Sequence, residues 1–116
     1  MAARTAWFLG YWGLRPFLAS AVGQDKCGKK ILDWLTAAEV DCELMHVDGE
    51  TSQSFIPVSS NGERTPLMTM STNLIEQELS EEQLDQIERD VGFAYLDGSG
   101  NRKLQATLFE IGRAHV

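Results

Sequence analysis

Cysteine is scarce in this chain. Cys27 and Cys42 are the only two among 116 residues; they lie too far apart for a C-x-x-C redox or zinc motif, and His46 alone cannot complete a metal site around them. No metal centre is expected, and ordinary reduced thiols fit a cytoplasmic protein. Basic residues are also few. Ten Lys and Arg against 17 Asp and Glu give a net charge of -7, which excludes capture of a phosphate backbone by overall charge and leaves any nucleic-acid partner to a local cluster. Long uninterrupted apolar runs are missing too. Arg15 and Pro16 break the stretch 6–22, so a membrane span is excluded, and the loose imitation of a secretory signal by Arg4 and Ala19-Ser20-Ala21 is the lesser reading. No repeat or linker divides the chain.

What is present points to one α/β domain with a real core, 43% of the residues being hydrophobic. Residues 5–9 form a short apolar run suited to a buried strand closed by Gly10. From Asp25 the period changes: Ile31, Trp34, Leu35 and Ala38 recur at helical spacing, with Gly28 in the first turn. Residues 42–47 read as a second strand ending at the Asp48-Gly49 turn, which makes a βαβ unit with parallel strands. Residues 52–65 read as an irregular excursion, and 67–70 as a brief strand or edge after Pro66. Ser80-Glu81-Glu82-Gln83 is a capping box that opens a helix over 80–89. Residues 91–96 are strand-like, and 101–109 read as a helix in preference to a return strand, with Leu104 and Leu108 one turn apart. The expected fold is a three-layer α/β/α arrangement on a short, mostly parallel sheet, incomplete at the C-terminus.

The last six residues, Ile111-Gly112-Arg113-Ala114-His115-Val116, match one translated frame of a widely used sequencing adapter. They divide the chain into an expected domain at 1–110 and a cloning scar at 111–116. A genuine C-terminus with that spelling is the alternative.

In open parallel α/β sheets ligands bind beyond the carboxyl ends of the strands. Three loops qualify: 10–17, 48–51 and 97–101. The first carries Gly10, Tyr11, Trp12, Gly13, Pro16 and Phe17: glycines permit close backbone approach, proline restrains the loop, and Phe17 offers a face to a planar base. On residue chemistry alone, a plug over the top of the core is the simpler reading of Tyr11, Trp12 and Phe17. Asp97-Gly98-Ser99-Gly100 could cradle an anion but lacks a phosphate-loop pattern, so a plain connector is the simpler reading. The acidic run 76–88 reads as a solvated helical face.

The stretch FLGYWGLRPFLASAVGQDKCGKKILDWLTAAEVD resembles the opening of the uracil-DNA glycosylase superfamily: Leu9-Gly10, then Pro16-Phe17, then a Gly28-led helix through Ile31, Leu32, Trp34 and Leu35. That resemblance implies base recognition in DNA and N-glycosidic hydrolysis without cofactor or metal. Phe17 would stack on the flipped base, Gly10, Tyr11 and Trp12 would form one pocket wall, and His46 or Asp48 would read its polar edge. The acid or amide that the family places after the glycine is absent, Tyr11 and Trp12 standing there instead. On residue chemistry alone, His46 is as readily a structural histidine and Asp48 a turn former. Two other readings are a non-catalytic α/β module binding a nucleotide or a protein, and a thioredoxin-like domain with Thr65-Pro66 imitating that fold's cis-proline.

Overall fold

The computed structural model describes residues 2–69, 78–97 and 101–114. Among the described residues it is a mixed α/β structure with four helices, a short parallel sheet of two strands and a separate antiparallel pair.

The first element departs from expectation. Residues 5–9 are not a strand; they lie inside helix α1, Ala2–Tyr11. Tryptophan, phenylalanine and leucine suit a strand locally, but the small residues decide the outcome: Ala3, Ala6 and Gly10 recur at three- and four-residue spacing and form a thin stripe on one face. Ala6 and Gly10 are buried there. A Cβ on Gly10 would lie 2.1 Å from the Ala38 carbonyl oxygen, so the absence of a side chain lets α1 pack directly on the end of the next helix. The chain then stops turning at Gly13. Its φ is +82°, its N–H donates to the Gly10 carbonyl at 2.9 Å, and the Leu14 N–H donates to the Leu9 carbonyl at 3.0 Å. This is a Schellman motif, and Gly13 supplies its left-handed residue.

After Pro16 the chain runs alongside residues 41–48. Asp41 donates its N–H to the Pro16 carbonyl at 2.9 Å, Leu18 donates to Asp41 at 3.0 Å, and His46 donates to Ser20 at 2.8 Å. Strand β1, Ala21–Val22, pairs in parallel with β2, His46–Val47, in the register Ala21 to His46 and Val22 to Val47. Helix α2, Lys26–Ala37, crosses between them. The expected βαβ unit is therefore present, with its first strand at 21–22. Ala6, Leu18, Leu35 and Val40 form the central cluster, Leu35 having no exposed surface. Trp7 stacks on two rings, on Trp34 at 5.3 Å and on Tyr11 at 5.5 Å.

Residues 52–65 are more regular than expected. Strands β3, Gln53–Phe55, and β4, Leu67–Thr69, pair antiparallel, and a second bridge joins Val58 to Arg64. Asn61-Gly62 makes the tip, with Gly62 at φ +86°. Alternating polar and apolar residues reached across a turn of the right chemistry, which outweighed the polar composition. Every side chain from 52 to 67 is exposed, so none of these residues adds a side chain to the core.

Helix α3, Glu81–Asp90, begins at Ser80 with both halves of the capping box formed. Helix α4 is Arg102–Ala114. Residues 91–96, expected as a strand, have no regular structure; Phe93 is 84% exposed and Tyr95 51%, and strand propensity without a pairing neighbour fixes nothing. Residues 98–100 of the glycine-rich turn and part of the acidic run lie outside the described residues. A radius of gyration of 15.4 Å exceeds the roughly 13 Å of a compact domain of this size. Among the described residues no helix is long and apolar enough to cross a membrane.

Helix α2 also ends in a Schellman motif, but with Glu39 rather than glycine at the left-handed position. Its φ is +61°, and the Val40 N–H donates to the Leu35 carbonyl at 3.1 Å. Replacing Glu39 by glycine will stabilise the fold by roughly 0.5–1 kcal/mol, the relief of left-handed strain less the backbone entropy glycine loses. Urea denaturation midpoints of the two proteins check this; a lower midpoint for Glu39→Gly contradicts it.

Candidate functional site

Where β1 and β2 end, three pieces of backbone converge with no side chain between them. Asp48 donates its N–H to the Val22 carbonyl at 3.1 Å and Gln24 to the Gly49 carbonyl at 2.9 Å. A Cβ on Gly23 would stand 2.2 Å from the Thr51 nitrogen, and one on Gly28 would stand 2.0 Å from the Gly23 carbonyl oxygen. Only glycine fits at either place.

Asp25 fastens this convergence. It is the N-cap of α2, and its Oδ1 accepts the Gly28 N–H at 2.7 Å. The same carboxylate accepts the Thr51 hydroxyl at 2.6 Å and the Thr51 N–H at 2.8 Å. Thr51 Oγ1 in turn accepts the Gly23 N–H at 3.0 Å. The Thr51 hydroxyl, then the Thr51 N–H and the Gly28 N–H, hold the Asp25 pKa down from 3.8 to about 2. Such a group is a poor proton acceptor from a substrate at neutral pH. Its chemistry is that of a fixed anion which organises donors.

Beside this knot lies a cavity of about 680 Å³ between α1, the strand leading into β1, and the segment from α3 to α4. The volume suits a small metabolite. Most of the wall is apolar, with Phe17, Leu44 and Leu104 prominent; Arg15, Ser20, Thr51, Asp97 and Gln105 bring polar groups to it. Asp97 accepts the Ala2 N–H at 2.9 Å, and Gln105 donates its side-chain N–H to the Asp97 carbonyl. These bonds tie the last third of the chain to the start of α1.

The six residues singled out from the sequence are dispersed over three places. Gly10 is buried inside α1, while Tyr11 and Trp12 are 71% and 69% exposed at its end. Phe17 is half-buried and lines the cavity; the other five do not. His46 is a half-buried residue of β2. Asp48 is exposed, and its carboxylate accepts the Gly49 N–H at 2.9 Å. Phe17 stands where its strand begins rather than where it ends, because the element before it is a helix. Sequence reasoning passed over Asp25 and Thr51. The signal available was Gly23-x-Asp25-x-x-Gly28 immediately before a helical period, an N-cap flanked by two close-approach glycines.

Residues 2–113 match the model of the pfkB family of carbohydrate kinases. The chain belongs to that family. Among solved structures this pfkB-family chain is similar to one described as "a putative ribokinase from Agrobacterium tumefaciens", at 26% identity over 76% of the chain with a TM-score of 0.56. It is also similar to Sa239, at 20% identity over 97% of the chain with a TM-score of 0.74, and to "a putative Ribokinase II (Apo Form) from E.coli", at 23% identity over 72% with a TM-score of 0.58. The last two likenesses carry the fold alone. The chain spans 30%, 38% and 29% of the lengths of these three structures. No curated protein matches the chain.

Membership of the pfkB family corrects the expected kinship with uracil-DNA glycosylases. With it go base flipping, DNA as partner and glycosidic hydrolysis. The physical reason is visible in α1: the resemblance required Gly10 to close a strand, and Gly10 is a helical contact residue. The non-catalytic module and the thioredoxin-like domain are not matched either, and the Thr65–Pro66 peptide is trans.

The carboxylate of Asp25 has a testable pH signature. A carboxyl whose pKa is lowered by folding contributes stability that is fully present above its unfolded value of 3.8 and is lost as pH falls toward about 2. The stability difference between the parent chain and Asp25→Asn will therefore be largest above pH 4 and shrink on acidification. Urea melts at pH 5, 4 and 3 measure it; a difference that stays constant or grows contradicts the assignment.

Proposed function

We propose that the protein transfers a phosphoryl group from a nucleoside triphosphate to a hydroxyl of a carbohydrate. The match of residues 2–113 to the pfkB carbohydrate kinases carries this reading, and the 26% identity to a structure described as a ribokinase supports it. Phosphoryl transfer asks little covalent chemistry of a protein; it asks for positioning of the acceptor hydroxyl and for stabilisation of charge on the moving phosphoryl group. A sugar ring has an apolar C–H face and a polar rim. The cavity offers the same mixture: Phe17 for the face, with Ser20, Thr51 and Asp97 for the hydroxyls. Arg15 at its wall supplies a positive charge suited to phosphate oxygens. Among the described residues no group of three or more His, Cys, Asp or Glu is placed to hold a metal ion, and no step of this reading runs through one. The free thiols of Cys27 and Cys42 support a cytoplasmic setting.

The product of the whole gene encoding this sequence, incubated with ATP and a panel of pentoses and hexoses, will form ADP and sugar phosphate in a sugar-dependent manner. Failure of every sugar in the panel, with a correctly folded protein, overturns the reading. Within the cavity, Phe17→Ala will weaken sugar binding by about tenfold, equivalent to roughly 1.4 kcal/mol of lost ring contact, whereas Trp12→Ala will leave it unchanged. Calorimetric titration with the sugar that is turned over distinguishes the two; equal losses remove Phe17 from the site.

A further inference from the structure

The β3–β4 hairpin poses a mechanical question. Its side chains from 52 to 67 are all exposed, so burial of these residues does not set the direction in which the arm leaves the body. Hydrogen bonds at its stem give it a direction among the described residues. The stem enters through Gly49, Glu50 and Thr51, and the body grips it at two levels. The Gly49 carbonyl accepts the Gln24 N–H. Two residues later, Thr51 is held by its backbone N–H, its hydroxyl hydrogen and its hydroxyl lone pair together.

All three Thr51 bonds end on the segment between β1 and α2, and two of the three end on one carboxylate. We infer that Asp25 is the positioning residue for the hairpin: through Thr51 it fixes the angle between the β3–β4 arm and α2, and so fixes the portion of the cavity wall that Thr51 and Ser52 provide. The Asp25 carboxylate is itself anchored by the Gly28 N–H in the first turn of α2, so the reference frame for the arm is the helix. Gly23 and Gly28 bring the frame close enough for the bonds to form. This inference concerns a conformational role and does not depend on phosphoryl transfer.

Distance measurement by electron paramagnetic resonance tests it on the full chain. In a background of Cys27→Ser and Cys42→Ala, spin labels are attached through Lys30→Cys on α2 and Val58→Cys on the hairpin, both exposed positions. With Asp25 and Thr51 intact, one narrow distance distribution is expected. Thr51→Val, which keeps the shape and the backbone bond but removes both hydroxyl bonds, will broaden it; Thr51→Ser, which keeps the hydroxyl, will restore the narrow distribution. Asp25→Asn will broaden it as well. Should Asp25→Asn no longer melt cooperatively, the valine and serine variants still decide. A Thr51→Val distribution as narrow as the parent's, or a Thr51→Ser distribution as broad as that of Thr51→Val, overturns the inference.

Discussion

Saturation of a single carboxylate by two backbone N–H groups and one hydroxyl organises the middle of this molecule. Asp25 caps α2, receives Thr51 twice, and thereby joins the end of β1, the start of α2 and the stem of the hairpin in one place. None of these three pieces would define the others through packing alone. The parallel pair is two residues long on each strand, and the hairpin buries no described side chain. Where hydrophobic area is small, directional bonds to a charged acceptor carry an unusual share of the geometry, since they are stronger than neutral ones and fix angles as well as distances.

How much of this was legible in the sequence varied by element, for physical reasons. Helix α2 was plain, because Ile31, Trp34 and Leu35 state their period without competition. Helix α3 was announced by Ser80 and Gln83, whose side chains do what their spacing suggests. Helix α1 was not legible in the same way: its large residues favour a strand, and the signal that wins is the negative one of small residues at Ala3, Ala6 and Gly10, whose meaning depends on a neighbour found 28 residues further on at Ala38. The glycine-rich stretch 10–17 looked like a ligand loop for a related reason. Gly13 is a helix stop, and a stop signal and a loop glycine are spelled identically until the preceding element is known.

The site shows a different limit. Phe17 was singled out because aromatic residues near proline and glycine attract attention, and it lines the cavity. Asp25 and Thr51 stand 26 residues apart and meet only in three dimensions. The family assignment failed at the sequence level because a glycine, a proline-aromatic pair and an amphipathic helix describe how a βαβ crossover is built, and unrelated α/β proteins build crossovers from the same parts. Family membership, by contrast, rests on the whole span 2–113.

The stack of Trp34 on Trp7 has an optical consequence. Two indoles 5.3 Å apart and inclined by only 5° couple their electronic transitions, and Tyr11 is stacked on Trp7 as well. Because one indole belongs to α1 and the other to α2, the resulting far-ultraviolet exciton band exists only while those two helices are docked, which gives this chain a built-in chromophore for watching its own core assemble.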